Sequence, residues 1–149
     1  MPEILHPPKK IDLVGIGNAI VDIVTNIDDE FLKRNLLQKG SMNLINLENS
    51  SKILKDCKII KQISGGSAAN TVVSLANLGN NVEFIGRIKD DKFGKFFSKD
   101  IKDSGASFNS KFVETRESSA HSIILITPDA QRTMCTYLGA STEFEPNNI

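Results

Sequence analysis

The sequence predicts an α/β fold that carries a small antiparallel β sheet. The middle of the chain alternates between strand-like and helical patterns, and strand-rich segments flank it on both sides. Alternating strands and helices are typical of layered α/β folds, whereas consecutive strands joined by short turns are typical of antiparallel sheets. The length of 149 residues suits one domain that buries a core of its own.

Composition excludes several classes of protein. The chain has 18 Lys and Arg residues against 18 Asp and Glu residues, so its formal net charge is zero. A neutral chain without a basic block lacks the electrostatic footprint of a nucleic-acid binder. No stretch approaches the about 18 continuous apolar residues that cross a membrane. We therefore expect neither nucleic acid nor membrane as a partner.

Histidine and cysteine positions predict no metal site. His6 and His121 stand alone in the sequence, and Cys57 and Cys135 fit no metal-binding or redox spacing. Two free thiols in a reducing, cytoplasmic compartment are one interpretation, and a single disulfide is the alternative. Residues 1–10, with three prolines and two lysines, predict a disordered leader without the apolar run of a secretory signal.

The first two elements are predicted as strands. Residues 11–17 form a short apolar run closed by glycines, which predicts a buried strand. Residues 19–27 then alternate with a period of two, which places Val21 and Ile23 on one face and Asp22 on the other. The chain continues with a short helix opened by residues 28–30, an extended segment at 42–45, a short helix ending near residue 57, and a strand at 59–63.

Two longer helices dominate the rest of the chain. Residues 67–78 show apolar positions three and four apart and end before Gly79, and residues 92–104 carry a stripe of phenylalanines behind Asp90 and Asp91. A strand at 82–85, closed by Gly86, lies between them. Strands follow at 112–115, 119–127 and 133–138, the last two joined by a turn at 128–130.

Glycines mark two candidate ligand sites. The segment 15–20 follows a strand but lacks the third glycine of a dinucleotide-binding motif, and a strand pattern follows it where that motif requires a helix. The glycines there still permit a sharp exit that leaves Asn18 and Asp22 on one side of the chain. Either these two residues contact a small ligand, or Asn18 is a turn residue and Asp22 a solvated carboxylate.

The second candidate is the segment from Ser64 to Asn70. Two glycines directly before a helix let backbone N–H groups approach a ligand, and the helix start adds unpaired donors and a positive dipole end. Asn70 places an amide one turn into the helix. The alternative is a plain glycine turn with Ser67 as the N-cap.

In combination, these segments resemble the ribokinase-like, or phosphofructokinase-B, carbohydrate kinases. The resemblance rests on residues 65–71, Leu78-Gly79, 84–86, Asp90-Asp91 and Gly94, which follow one another in the order and spacing of that family. Residues 15–22 resemble the family's opening strand, and residues 127–134 resemble a hairpin of its bacterial adenosine-kinase-like members. The resemblance extends over about residues 11–145.

The resemblance implies a fold and a set of site residues. The fold is the N-terminal part of a ribokinase-like α/β layer architecture with a small antiparallel β lid from residues near 17–27, 41–46, 59–63 and 119–138. The implied substrate-binding residues are Asn18, Asp22, Gly65, Gly66 and Asn70. Asp22 binds sugar hydroxyls with help from Asn18, the two glycines present backbone N–H groups, and Asn70 binds from the helix. Arg132 matches a basic residue on the lid side, toward a phosphate.

The resemblance also implies what this chain does not supply. Residues 95–149 contain no Gly-Ala-Gly-Asp motif, which holds the family's catalytic base. No catalytic residue is therefore assigned in this chain, and the base is expected beyond Ile149. ATP and Mg²⁺ are implied as cofactors with their main sites elsewhere.

The resemblance finally implies a function. The expected function is the substrate-and-lid half of an ATP-dependent sugar or nucleoside kinase, inactive by itself. Adenosine is the favoured substrate, with ribose or a fructose-type sugar as alternatives. A non-catalytic binding or assembly module is the competing hypothesis, and a homodimer through the lid sheet is an expected assembly.

Overall fold

A computed structural model describes residues 10–145. The strands are β1 (Leu13–Ile16), β2 (Ile20–Asn26), β3 (Met42–Leu44), β4 (Ile59–Gly65), β5 (Val82–Ile85), β6 (Ile88–Lys89), β7 (Phe112–Val113), β8 (Ala120–Ile126) and β9 (Arg132–Tyr137). The helices are α1 (Asp29–Arg34), α2 (Leu47–Lys55), α3 (Ser67–Asn77) and α4 (Lys92–Asp103), followed by a 3₁₀ helix at Gly139–Thr142.

Two of the sequence predictions fall at the ends of the chain. The leader expected at residues 1–10 lies, apart from Lys10, outside the described residues. Residues 146–149 also lie outside them, and these include Ile149, beyond which the family resemblance places the catalytic base. Both the leader and the position of the base therefore stay predictions.

Three sheets organise the described elements. A five-stranded sheet has the order β3-β9-β8-β2-β4, and two parallel pairs, β1-β5 and β6-β7, lie outside it. Helix α3 packs on β1 and β5, and α4 packs on β2, β4, β6 and β8. Within residues 10–145 no helix is long and apolar enough to cross a membrane.

The predicted fold class is confirmed, with a correction to the sheet. All the strands predicted for the small sheet lie in the five-stranded sheet, but it is mixed and not purely antiparallel. The β8–β9 and β2–β4 pairs are antiparallel, whereas β2–β8 and β3–β9 are parallel. Parallel neighbouring strands need long crossover connections. Because the paired strands are far apart in the chain, local sequence patterns do not predict their pairing.

One face of the five-stranded sheet is covered by helices. Val21, Ile23 and Thr25 alternate along β2 on this face and are all fully buried, as their two-residue period predicts. Around them lie two apolar clusters, one centred on the packed rings of Phe84, Phe97 and Phe108, and the other on residues of α1, α2, β8 and β9. The opposite face carries Asp22, which is partly buried.

The burial predicted for the first strand is wrong within the described residues. Leu13, Val14 and Ile16 of β1 are 40%, 47% and 47% exposed. The reason is that β1 pairs only with β5, and no described strand occupies its second edge. Strands of parallel sheets are normally covered on both faces, which is why their sequences are continuously apolar.

Both cysteines are free thiols, as one of the two sequence interpretations predicted. Cys135 is buried in the sheet, and Cys57 packs against the same apolar cluster. Burial raises the pKa of the Cys135 thiol to about 11 and also raises the pKa of Cys57. Neither thiol is therefore a reactive thiolate at neutral pH.

His121 is a buried strand residue, consistent with the sequence interpretation. Its Nε2 lies 2.5 Å from Ser50 Oγ in α2, and its Nδ1 lies 3.3 Å from the carbonyl oxygen of Ser119. The ring packs between Phe93 and Tyr137, with centroid distances of 4.5 and 5.4 Å. Burial lowers the pKa of His121, although the Ser119 carbonyl and Asp91 oppose part of this effect.

We expect the free energy of unfolding to fall as the pH drops below about 6.5, the pKa of an unfolded histidine. The unfolded chain then binds a proton that folded His121 does not, with a slope of at most about 1.4 kcal/mol per pH unit. Urea unfolding at several pH values between about 7.5 and 5 measures the slope. In the control His121→Gln this part of the slope disappears, and an unchanged slope in that variant would contradict the assignment.

Candidate functional site

Asp22 and Gly65 meet because β2 and β4 pair side by side. The antiparallel register places Ile20 opposite Gly65 and Asp22 opposite Ile63. A methyl group added at Gly65 would lie 2.3 Å from Asp22 Oδ2, so the carboxylate rests directly over the glycine. Only a residue without a side chain leaves room for the carboxylate in this position.

The start of α3 offers unpaired backbone donors beside this carboxylate. Gly66 is the N-cap, with φ of +99°, and no side chain caps the helix. Ser67 is therefore not the N-cap, which corrects the alternative interpretation of a capped turn. The first N–H groups of a helix have no partner inside it, and they point outward at its positive end. A ligand above Gly66 meets these donors.

Asn18 lies against the same glycine. A methyl group added at Gly66 would lie 2.7 Å from the carbonyl oxygen of Asn18, so the two backbones are in close contact. Gly17, directly before Asn18, packs against Ala68 of α3, where a methyl group would lie 2.9 Å from the Ala68 Cβ. This corner lies where the parallel strands β1 and β5 end, and the carboxyl ends of parallel strands are the usual place for ligands in α/β folds.

The carboxylate of Asp22 has no partner in the part of the chain that the structure describes. Neither a hydrogen bond nor an ion pair joins it to residues 10–145, and burial raises its pKa above the ordinary value. A partly buried carboxylate without donors is costly, because it has lost water and gained nothing in exchange. Hydroxyl donors from a ligand would stabilise it.

Two further polar residues, which the sequence did not predict as site residues, lie level with Asp22 on the neighbouring strands. Asp22 is level with Ser122 on β8, and Ser122 is level with Thr136 on β9. The hydroxyl oxygens of Ser122 and Thr136 lie 2.8 Å apart and are buried. Ser122 interrupts an apolar strand on the same alternation as Asp22, but the strand pairing that joins them cannot be inferred from that pattern.

Asn70 and Arg132 lie in different surroundings. Asn70 is exposed in the first turn of α3, and its backbone N–H donates to the carbonyl of Gly66 over 2.9 Å. Arg132 is exposed at the start of β9, opposite Ile126, which in turn is level with Asn26. Asn26 is roughly 13 Å along β2 from Asp22. The structure thus brings the backbones of Asn18, Gly65, Gly66 and Asn70 together beside the Asp22 carboxylate. It leaves Arg132 at the other end of the sheet.

The described residues offer no metal centre. No three His, Cys, Asp or Glu side chains among residues 10–145 come together as ligands. Asp22 alone, over a glycine and next to hydroxyl groups, does not fit the octahedral oxygen shell that Mg²⁺ demands. We therefore derive no step through Mg²⁺ from these residues.

Comparisons with known proteins find kinases that are similar to this chain. Adenosine kinase from Sinorhizobium meliloti is 40% identical, with a TM-score of 0.86 over 95% of this chain and 43% of that structure. A probable sugar kinase from Rhizobium etli is 36% identical, with a TM-score of 0.84 over 93% of this chain and 42% of that structure. The 5-dehydro-2-deoxygluconokinase of Geobacillus kaustophilus is 28% identical over 95% of this chain and 36% of its own length.

The chain thus spans less than half the length of these relatives. The family model for pfkB family carbohydrate kinases matches residues 35–149, which is most of the chain, including β4, the glycine pair and α3. Both solved relatives share the ribokinase-like arrangement of strands and helices over nearly all the described residues. The chain belongs to the pfkB family of carbohydrate kinases.

Proposed function

We propose that this chain forms the substrate-binding and lid part of an ATP-dependent kinase that phosphorylates a primary hydroxyl of a nucleoside or sugar. Its family consists of kinases, which use ATP and act on small molecules. The observation that supports a nucleoside or sugar as substrate is the partly buried carboxylate of Asp22, which has no partner among residues 10–145. It lies beside the start of α3, where the N-cap makes no side-chain hydrogen bond.

This junction matches the chemistry of vicinal hydroxyls. A carboxylate accepts hydrogen bonds from two neighbouring hydroxyl groups at once, and such charge-assisted bonds are stronger than neutral ones. The backbone N–H groups of the first turn of α3 donate to the oxygens of the same hydroxyls. Ribose and related sugars present donors and acceptors side by side, so both halves of the junction are used by one ligand.

Adenosine is the substrate that we favour. The S. meliloti structure at 40% identity is named an adenosine kinase, and it supports a nucleoside. A surface pocket of about 390 Å³ is lined by Leu44 and Thr136, which are level with Ser122 and Asp22 across the sheet. The pocket does not include Asp22, because Thr136 lies two strands, roughly 10 Å, away from it. We propose this pocket as the place of the base. The G. kaustophilus relative supports a sugar acid as the second candidate.

We place phosphoryl transfer itself outside this chain, with the catalytic base beyond Ile149. Such transfer depends on positioning and on stabilising the charge of the moving group, and ATP with its metal supplies that chemistry when bound. The exposed apolar strand β1, whose second edge is free among the described strands, supports a sheet that continues in the rest of a longer kinase. By itself the chain is then expected to bind substrate without turnover.

The five-stranded sheet serves as the lid in this proposal. Its Asp22-bearing face also exposes Met42, Leu44 and Ile63, which are 56%, 65% and 38% exposed. Closure of this face over the substrate excludes water from the site. A second copy of the chain, packed on the same apolar side chains, is the dimer that we propose, and we propose a cytoplasmic location for the kinase.

Substitution of Asp22 is expected to weaken binding about 100-fold. In the 149-residue chain, adenosine titrated against ¹⁵N-labelled protein should shift the amide signals of Gly65 and Gly66, and ribose and 5-dehydro-2-deoxygluconate should be compared in the same way. Asp22→Ala removes two charge-assisted hydrogen bonds, worth together about 3 kcal/mol or about 100-fold in affinity.

The exposed Glu30→Ala variant is the matched control, because within residues 10–145 Glu30 makes only a 3.8 Å ion pair with Lys33 on the surface. It should bind as the unmodified chain does. Equal affinity of Asp22→Ala and the unmodified chain would overturn the proposed site. ATP-dependent phosphorylation of adenosine by the chain alone would overturn the placement of catalysis elsewhere. Saturable binding with Asp22 dependence and no turnover is the expected result.

A further inference from the structure

Helix α4 holds the strand that carries the glycine pair. The Asp100 Oδ2 atom accepts a hydrogen bond from the backbone N–H of Ser64 over 2.7 Å. Ser64 belongs to β4, which lies at the edge of the five-stranded sheet and, among the described strands, pairs only with β2. The N–H of Ser64 is thus one of the groups that an edge strand leaves without a strand partner.

The hydrogen bond from Ser64 to Asp100 satisfies a buried donor and also fixes the position of β4. Ser64 is only 7% exposed, and a buried backbone N–H without a partner costs about 1–3 kcal/mol, so a partner is required. Any acceptor would meet that need, including a water molecule. An acceptor fixed on a packed helix does more, because it also determines where the end of β4 lies.

The carboxylate of Asp91, the N-cap of α4, holds the strand on the other side of β2. Asp91 Oδ1 caps the helix by accepting from the N–H of Gly94, and its Oδ2 accepts from the N–H of Ser119 over 2.8 Å. Ser119 leads directly into β8. One helix thus fixes β4 and β8, the two neighbours of β2, at the end of the sheet where Asp22 lies.

We propose that Asp100 is a positioning residue for the Asp22 site, holding Ser64 and Gly65 against the carboxylate of Asp22. The inference rests on the proposed function and identifies a further residue on which ligand affinity depends. Asp100 touches no ligand. It acts through the backbone that follows Ser64, because the carboxyl group of Asp22 fills the space where a Cβ of Gly65 would lie.

The contact between Gly65 and Asp22 makes the site sensitive to small movements of β4. Displacement of Gly65 changes both the direction of the carboxylate and its exposure to water. Burial is what raises the pKa of Asp22, so a looser β4 should lower that pKa toward its ordinary value. A residue with a purely structural role would change stability without moving this pKa.

The test compares three variants of the full 149-residue chain. Asp100→Ala removes the acceptor. Asp100→Asn keeps an oxygen acceptor of the same reach and is the rescue variant. Asp103→Ala is the matched control, since Asp103 lies on the same helix but is exposed and paired with Lys99 on the surface. Adenosine affinity, the Asp22 pKa from carboxyl ¹³C shifts, and the free energy of unfolding are measured for each.

We expect Asp100→Ala to bind adenosine about tenfold more weakly. This loss of affinity corresponds to the net free energy of about one hydrogen bond. Its Asp22 pKa should fall, and Asp100→Asn and Asp103→Ala should keep both values. An Asp100→Ala protein with unchanged affinity and unchanged Asp22 pKa overturns the inference, whatever its stability. If Asp100→Ala does not fold, a lowered affinity in Asp100→Glu, whose carboxylate is one methylene further out, supports the inference, and unchanged affinity overturns it.

The experiment distinguishes failure of the proposed function from failure of the positioning role of Asp100. If the unmodified chain binds neither adenosine nor the two sugars, the assignment of ligand is wrong, while the Asp22 pKa in Asp100→Ala still tests the positioning role. If the unmodified chain binds and Asp100→Ala binds equally well with an unshifted pKa, only the positioning role is wrong.

Discussion

Gly65→Ala is expected to reduce the affinity of the chain for its ligand about 100-fold while leaving its stability almost unchanged. The added methyl group would lie 2.3 Å from Oδ2 and 2.5 Å from Cγ of Asp22, which is closer than atoms in contact approach one another. The carboxylate is the end of a side chain with rotatable bonds, so it turns away from the methyl group. It then no longer points at the ligand.

The stability of this variant changes little because the collision involves a side chain and not the backbone. Asp22 makes no hydrogen bond that its rotation would break among residues 10–145, and rotation restores water to the carboxylate. The φ angle of Gly65, unlike that of Gly66, lies outside the left-handed region, so alanine adopts it without strain. We expect the free energy of unfolding to stay within about 0.5 kcal/mol.

A double-mutant cycle identifies the cause. If Gly65→Ala acts by turning Asp22 away, its effect on affinity should vanish in an Asp22→Ala background, because no carboxylate is then left to displace. Calorimetric titration of the four proteins with adenosine gives the coupling energy. Full additivity of the two substitutions would show that Gly65 acts on the ligand directly and not through Asp22.

Much of this site was predictable from the sequence. The glycine pair before α3 and the alternation that places Asp22 opposite Val21 and Ile23 are local patterns, and the structure confirms both. Local patterns work here because strand periodicity and helix starts depend on residues only a few positions apart.

What the sequence did not predict depends on distant pairing. The register that lays Gly65 under Asp22, the Ser122–Thr136 pair and the bond from Ser64 to Asp100 each join segments that are far apart in the chain. The exposure of β1 was missed for the same reason, because the apolar run predicts burial but not which element covers it. A hydrophobic pattern predicts that a strand is buried, whereas the topology of the fold determines which element covers it.

Gly94→Ala is expected to destabilise the chain by about 3 kcal/mol, opposite in sign to the usual effect of alanine within a helix. In an exposed helix interior this change would stabilise by about 1 kcal/mol. Here the methyl group would lie 2.0 Å from the carbonyl oxygen of Lys89 and 2.7 Å from Ser119 Oγ. The first turn of α4 thus lies directly on the backbone that leads from β6.

The obstacle at Gly94 cannot move aside as the Asp22 carboxylate can. The Lys89 carbonyl accepts hydrogen bonds from the N–H of Asp91 over 2.9 Å and from the hydroxyl of Ser119 over 3.3 Å. Retreat of α4 from this carbonyl would draw Asp91 away from Ser119 and so loosen the start of β8. The added methyl group therefore causes either a collision with the backbone or the loss of several hydrogen bonds. Either outcome lowers the free energy of unfolding.

Thermal unfolding should place the midpoint of Gly94→Ala about 10 °C below that of the unmodified chain. Gly79→Ala is the matched control, since its φ is +89° and no atom of the described residues lies within 4 Å of the added methyl group. That variant carries only the conformational cost of a left-handed alanine, about 1 kcal/mol. A Gly94→Ala protein as stable as the unmodified chain would show that α4 is free to shift. The inference that α4 fixes the positions of β4 and β8 on either side of β2 would then be wrong.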